Sequence, residues 1–145
     1  MINFSDELGQ RTLERINSER VIWLTTVSPK GIPQPRPVWF VWDNGDFIIY
    51  SSTRAKKLVH IANNPNVSLN FNAGADGYDV QVILGKARVD KDLPPSHLNK
   101  AYSDKYGAEI LTLDMSEEKY AGIFNVGIRI IPERARGLEP IPEPK

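Results

Sequence analysis

The sequence predicts a mainly β protein with flanking helices, built on a six-stranded antiparallel barrel that is closed or half closed. Three observations predict it. Short runs rich in β-branched and aromatic residues alternate in polarity, as at Val67, Leu69 and Phe71. Compact turns such as Ser28-Pro29-Lys30-Gly31 and Asp43-Asn44-Gly45-Asp46 separate consecutive runs at hairpin distance. Helical periodicity is confined to a few segments at the start, middle and last third of the chain.

The chain of 145 residues is expected to form a single domain, 1–145, burying enough surface to need no metal or disulfide staple. Eighteen basic against eighteen acidic residues leave no net charge. That balance argues against a general nucleic-acid or membrane-surface binder, and leaves room only for local charge. The absence of cysteine excludes a disulfide framework, thiolate metal ligands and a cysteine nucleophile. The N-terminal residues lack an apolar signal region and no apolar run approaches the ~18 residues of a membrane span, so a cytoplasmic protein is expected.

Taken in order, Ser5 or Asp6 caps a first helix carrying Leu8, Leu13 and Ile16 and ending at Asn17-Ser18. Val21 to Val27 is a strand, returned by the Ser28–Gly31 turn into a second strand over Gln34 to Trp42. The prolines at 33, 35 and 37 are expected to prevent regular ladder pairing where that strand begins. Asn44-Gly45 reverses the chain into Phe47 to Ser51. A helix from about Ala55 to Ala62 stops at Asn63-Asn64-Pro65. Val67 to Asn72 and Tyr78 to Leu84 are further strands, with Gly85 marking a bulge or bend before Lys86 to Asp90.

The last third changes period. Pro94-Pro95 opens a helix through Tyr106 that Gly107 is expected to end. Asp114 and Glu117 have the spacing of a capping box for a helix to about Phe124. Val126, Ile128 and Ile130 form one more strand, and 133–145 is expected to be an extended proline-rich C-terminal tail.

One segment breaks a local rule. Ser51-Ser52-Thr53-Arg54-Ala55-Lys56-Lys57 gathers three cations at the start of a helix, where the backbone is already partially positive. Each cation there costs up to about 1 kcal/mol, whereas an acid would help. An anion bound at that point removes the conflict, since hydroxyls, free N–H groups and Arg54, Lys56 and Lys57 supply the donors and charge that a phosphate needs. The two histidines, His60 and His97, fall within expected helices without partners at metal-ligand or triad spacing, which favours surface or packing roles and no metal site.

The order of these motifs carries a resemblance. A β-hairpin, then Arg36-Pro37-Val38-Trp39-Phe40, then Ile49-Tyr50-Ser51-Ser52 followed by Arg54, Lys56 and Lys57, resembles the pyridoxamine 5'-phosphate oxidase-like split-barrel family. More narrowly it resembles that family's branch of flavin- and deazaflavin (F420)-dependent oxidoreductases. The resemblance implies a six-stranded antiparallel split β-barrel that binds FMN or F420, with the narrower likeness favouring F420. It also implies a homodimer with the cofactor at the interface and a small-molecule substrate. Carried over by position, Arg54, Lys56 and Lys57 meet the cofactor phosphate with Ser51 and Ser52, while Arg36, Val38, Trp39 and Phe40 lie along the ring. No catalytic acid or base is selected, although Tyr50, Tyr78 or Tyr120 could donate a proton. Arg134-Ala135-Arg136-Gly137-Leu138 does not match the substrate motif of the oxidase itself, so vitamin B6 oxidation is not expected.

Two other classes compete with this reading. Split barrels of this kind also include non-catalytic flavin or tetrapyrrole binding and carrier proteins. A short-stranded barrel carrying basic and aromatic residues could bind single-stranded nucleic acid, but zero net charge speaks against it.

Overall fold

The computed structural model describes residues 2–141. Its elements are α1 (Glu7–Ser18), β1 (Ile22–Val27), β2 (Pro33–Val38), β3 (Val41–Asp43), β4 (Asp46–Ser51), α2 (Lys56–Asn63), β5 (Asn66–Asn70), β6 (Val82–Val89), α3 (Lys100–Leu111), α4 (Glu117–Ile123) and β7 (Val126–Arg136). A 3-10 turn at Ser96–Leu98 precedes α3. The strands form one antiparallel sheet in the order β2-β1-β5-β6-β7-β4-β3, so the sheet has seven strands rather than the expected six.

The difference arises at Trp39-Phe40, where the expected strand 34–42 divides. β2 pairs β1 at one edge of the sheet and β3 pairs β4 at the other. Three peptide steps from Val38 to Val41 span at most roughly 11 Å. The two edges are therefore held close together without pairing, and the sheet curls into a half-barrel.

The three prolines do not prevent pairing, contrary to expectation. Pro33, Pro35 and Pro37 pair with Val27, Thr25 and Trp23 in unbroken register. Their spacing of two turns every missing N–H to the same side, and β2 is an edge strand with no neighbour on one side. The prolines also blunt that edge against pairing with another chain.

Asn44 and Gly45 both take positive φ, 50° and 90°, which the tight turn between β3 and β4 requires. β4 then runs Phe47-Ile48-Ile49-Tyr50-Ser51 buried on both faces. Phe47 and Ile49 enter the barrel interior with Ile22, Leu24, Phe40 and Ile128. Ile48 and Tyr50 face outward into a second core that α3 and α4 complete with Tyr102, Tyr106, Ile110 and Tyr120.

Other elements depart from the sequence reading in detail. β6 begins at Val82 rather than Tyr78 and continues unbroken past Gly85. The expected bulge is present, but the extra residue is Glu133 of β7: Leu84 pairs Arg134 while Gly85 pairs Pro132. A side chain at Gly85 would strike the Ile131 carbonyl oxygen. β7 extends to Arg136, so residues 133–136 of the expected tail are strand rather than tail, with 134–136 paired to β6, and residues 142–145 lie outside the described residues. Gly107 does not end a helix. It lies inside α3, where the Glu117 carboxylate approaches to 3.1 Å of the position a Cβ would occupy. The cap of α4 is Ser116, whose Oγ accepts from the Lys119 amide, and not Asp114, which has left-handed backbone at φ 56°.

Tyr106 fastens the second core to the crossing point at Phe40. Its hydroxyl accepts from the Phe40 amide at 2.9 Å and lies 2.7 Å from the Arg20 carbonyl and 2.9 Å from that of Phe40. Its ring stacks on Trp39 at 4.5 Å between centroids. Tyr106→Phe strands the buried Phe40 N–H, and unfolding by denaturant should show a loss of roughly 1–3 kcal/mol with an unchanged slope. A loss under about 0.5 kcal/mol, the range of ordinary surface changes, would contradict this role.

Candidate cofactor site

The site forms where β2, the end of β4 and the start of α2 converge. β4 ends at Ser51, a turn over Ser52–Ala55 redirects the chain, and α2 begins at Lys56 with Ala55 as its cap. Alanine has no side-chain oxygen, so the first-turn N–H groups lack the partner that serine or aspartate would give. The first turn holds no acid and begins with Lys56 and Lys57. The electrostatic conflict read from the sequence is therefore present in the fold.

Two cavities open at this junction, and Pro37, Ala55 and Lys57 line both. The first, of about 300 Å³, is lined by Arg36, Lys56, Lys57, Thr26, Gln34 and His60 among others, and by no carboxylate. The second, of about 190 Å³, is lined by Val38, Trp39, Ser51 and Ser52 with the rings of Tyr50, Tyr102, Tyr120 and Phe124. One is cationic and the other aromatic. A larger hollow of about 800 Å³ lies beside α1, β6 and β7, but Asp6 and Glu133 there balance Arg134 and Arg136. It offers no comparable excess of charge.

Burial holds the Lys57 ammonium below its ordinary lysine pKa, and repulsion from Arg36 acts in the same direction. An anion between these two side chains would reverse both effects. The charge on Lys57 is thus costly in the free protein and useful with a ligand, a pattern expected of functional groups.

The geometry gathers most of the residues singled out in the sequence, but not all. Arg36, Lys56 and Lys57 meet at the first cavity; Val38, Trp39, Ser51 and Ser52 meet at the second. Phe40 lines neither. It is fully buried in the barrel core, and its backbone amide and carbonyl are engaged by Tyr106, with Lys105 Nζ adding a bond to the carbonyl at 2.9 Å. Arg54 is exposed in the turn before α2 and lines neither cavity. The hydroxyl of Tyr50 donates to the Pro94 carbonyl at 2.6 Å and accepts from Asn99 at 3.2 Å, while Tyr102 and Tyr120 bond each other at 3.1 Å. Tyr78 is 62% exposed and lines neither cavity.

Sequence reasoning missed His60, Thr26 and Tyr102. His60 lies four residues after Lys56 on α2, so helical spacing alone places the two on one stripe. No such local signal connects Thr26 or Tyr102 to the site, because strand pairing and the packing of α3 bring them there.

A curled antiparallel sheet whose edges meet at Trp39-Phe40, with helices closing one outer face, places the protein in the split-barrel class. The sequence pattern described as pyridoxamine 5'-phosphate oxidase matches residues 8–138, and the chain belongs to that family. A search of curated proteins finds no match. Among solved structures, it is similar to a Listeria innocua protein provisionally assigned as a pyridoxamine 5'-phosphate oxidase. The two share 23% identity over 91% of this chain and 98% of the other, with a TM-score of 0.69. An F420 reductase shares 21% identity over 85% and 94%, with a TM-score of 0.66. HutZ, a heme storage protein from Vibrio cholerae, shares 15% over 91% and 95%, with a TM-score of 0.64. At these identities the likeness is one of fold. Among the described residues, no helix is long and apolar enough to cross a membrane.

Proposed function

We propose that this protein is an oxidoreductase that binds FMN or F420 and transfers a hydride between that cofactor and a small organic substrate. The observation that carries the reading is the junction of a carboxylate-free cationic cavity with an aromatic one, sharing Pro37, Ala55 and Lys57. A flat ring with a phosphate on a short tether has this same division of chemistry. The residues fit such a group: Arg36, Lys56 and Lys57 would neutralise the phosphate, and the uncapped first turn of α2 would add N–H donors. Val38 and the aromatic walls would hold the ring.

When bound, the cofactor supplies the hydride chemistry. The chain's contribution is to bind, orient and dry the ring. The Tyr50 hydroxyl proton is committed to Pro94, and Tyr102 and Tyr120 share a bond to each other. These contacts suit the tyrosines to shaping the cavity wall rather than passing protons. The proposal extends to a homodimer with the cofactor between protomers, for which sedimentation would read twice the chain mass.

The test is a fluorescence titration of the apo-protein with FMN and with F420, followed by a substrate screen using whichever binds. Saturable binding of one cofactor and turnover of a reducible substrate support the proposal; binding of neither sinks it. A second reading, a non-catalytic flavin or tetrapyrrole binding protein, draws on the structural likeness to HutZ. Tight binding with no turnover across the screen would establish it instead.

A further inference from the structure

His60 is 8% exposed and sits beside Lys56 and Lys57 in the wall of the cationic cavity. Its Nδ1 lies 2.8 Å from Thr26 Oγ1 on β1. Thr26 is itself 2% exposed, so this pair is sealed within the protein on that side. Among the described residues Nε2 has no hydrogen-bond partner, and it is not enclosed by the core either. The ring nitrogen left for the cavity is therefore Nε2.

The hydroxyl of Thr26 can donate to Nδ1, and in that tautomer Nε2 carries the hydrogen. Because His60 lines the cavity, a ligand there can accept from Nε2 directly. The donors available there come from several directions: the planar fork of Arg36, the ammonium groups of Lys56 and Lys57, the first-turn amides of α2, and Nε2 of His60. Convergence from many sides suits the oxygens of a tetrahedral phosphate better than a flat carboxylate.

We propose that His60 is a specificity-determining phosphate contact, donating from Nε2 to a phosphate oxygen of the cofactor, and that Thr26 is the positioning residue that holds the ring through Nδ1. This rests on the phosphate reading of the cavity above. A lone histidine in α2 thereby becomes part of the recognition of the phosphate rather than of the ring.

The experiment compares affinities for a cofactor and for the same ring without phosphate: FMN against riboflavin, or F420 against its phosphate-free deazaflavin, in wild type, His60→Leu, His60→Gln, Thr26→Val and Thr26→Ser. Loss of one charge-assisted hydrogen bond predicts that His60→Leu weakens the phosphorylated ligand by roughly ten- to a hundredfold and the bare ring by less than about twofold. Gln, which keeps an N–H donor, should recover part of the loss. Thr26→Val should weaken only the phosphorylated ligand, and Thr26→Ser should restore it. Equal losses for both ligands, or an unchanged ratio, would overturn the role of His60. Should His60→Leu fail to fold, the ratio in His60→Gln and the Thr26 pair decides the question. A wild type that does not distinguish phosphorylated from bare ligand would instead overturn the phosphate reading of the cavity itself.

Discussion

Replacing Lys56 and Lys57 together by alanine is expected to weaken FMN or F420 binding by roughly a hundredfold or more, with the melting temperature unchanged or slightly raised. Both directions follow from the same placement. The two ammonium groups open α2 at its partially positive end, with no acid in the first turn. Burial and Arg36 already depress the pKa of Lys57, so its charge opposes folding of the free protein. Removing a charge of this kind costs the fold little, while the ligand loses two of its cationic partners. Stability gained where function is lost marks a site strained for binding. The measurement is a pair of titrations beside thermal melts: retained affinity would sink the phosphate assignment, and a large fall in melting temperature would show that the lysines serve the fold.

Alkaline pH should unfold the protein cooperatively, beginning above pH about 10. Burial raises the pKa of Tyr50, Tyr102, Tyr106 and Tyr120, most clearly for Tyr102 and Tyr106, which are almost wholly enclosed. In the unfolded chain these groups ionise near the ordinary tyrosine value of about 10, whereas the folded chain retains their protons. The unfolded state then binds fewer protons, and stability falls as pH rises. Each such group can contribute up to about 1.4 kcal/mol per pH unit, so Tyr102 and Tyr106 together would remove about 5–6 kcal/mol by pH ~12. That is comparable to the whole stability of an ordinary domain.

Lys105 works in the opposite sense at lower pH. Desolvation, reinforced by Arg20, lowers its pKa to about 8. From there to the ordinary lysine value the unfolded state binds more protons, so Lys105 adds stability as pH rises. The expected profile is a modest rise above pH about 8, then a steep fall above about 10. In Tyr78→Phe, which removes the exposed tyrosine, tyrosinate absorbance should appear together with loss of structure. Tyrosinate forming with an ordinary midpoint in that variant while it is still folded would refute the enclosure of this cluster. Tyr50, Tyr102 and Tyr120 also wall the aromatic cavity, so cofactor affinity should vanish in the same transition.

What the amino acids determine by themselves is what adjacent residues decide. Asn44-Gly45 specifies its turn because few other residues tolerate positive φ, and Asn63-Asn64-Pro65 stops α2 where proline denies helical backbone to its predecessor. The cations of α2 were legible as a candidate site because the rule they break, charge against the helix dipole, is local. Tertiary structure decided the rest. The three prolines of β2 could be read as breaking a ladder; only the position of β2 at the sheet edge makes their missing N–H groups harmless. Arg134–Arg136 look like tail until β6 offers them a partner, and Gly107 looks like a helix end until Glu117 packs against it. The curl of the sheet brings Arg36 to Lys57, and the pairing of β1 with β2 and the packing of α2 on the barrel set Thr26 against His60. Contacts across tens of residues depend on strand order and curvature, which hydrophobic periodicity does not encode, and the completed site is built from such contacts.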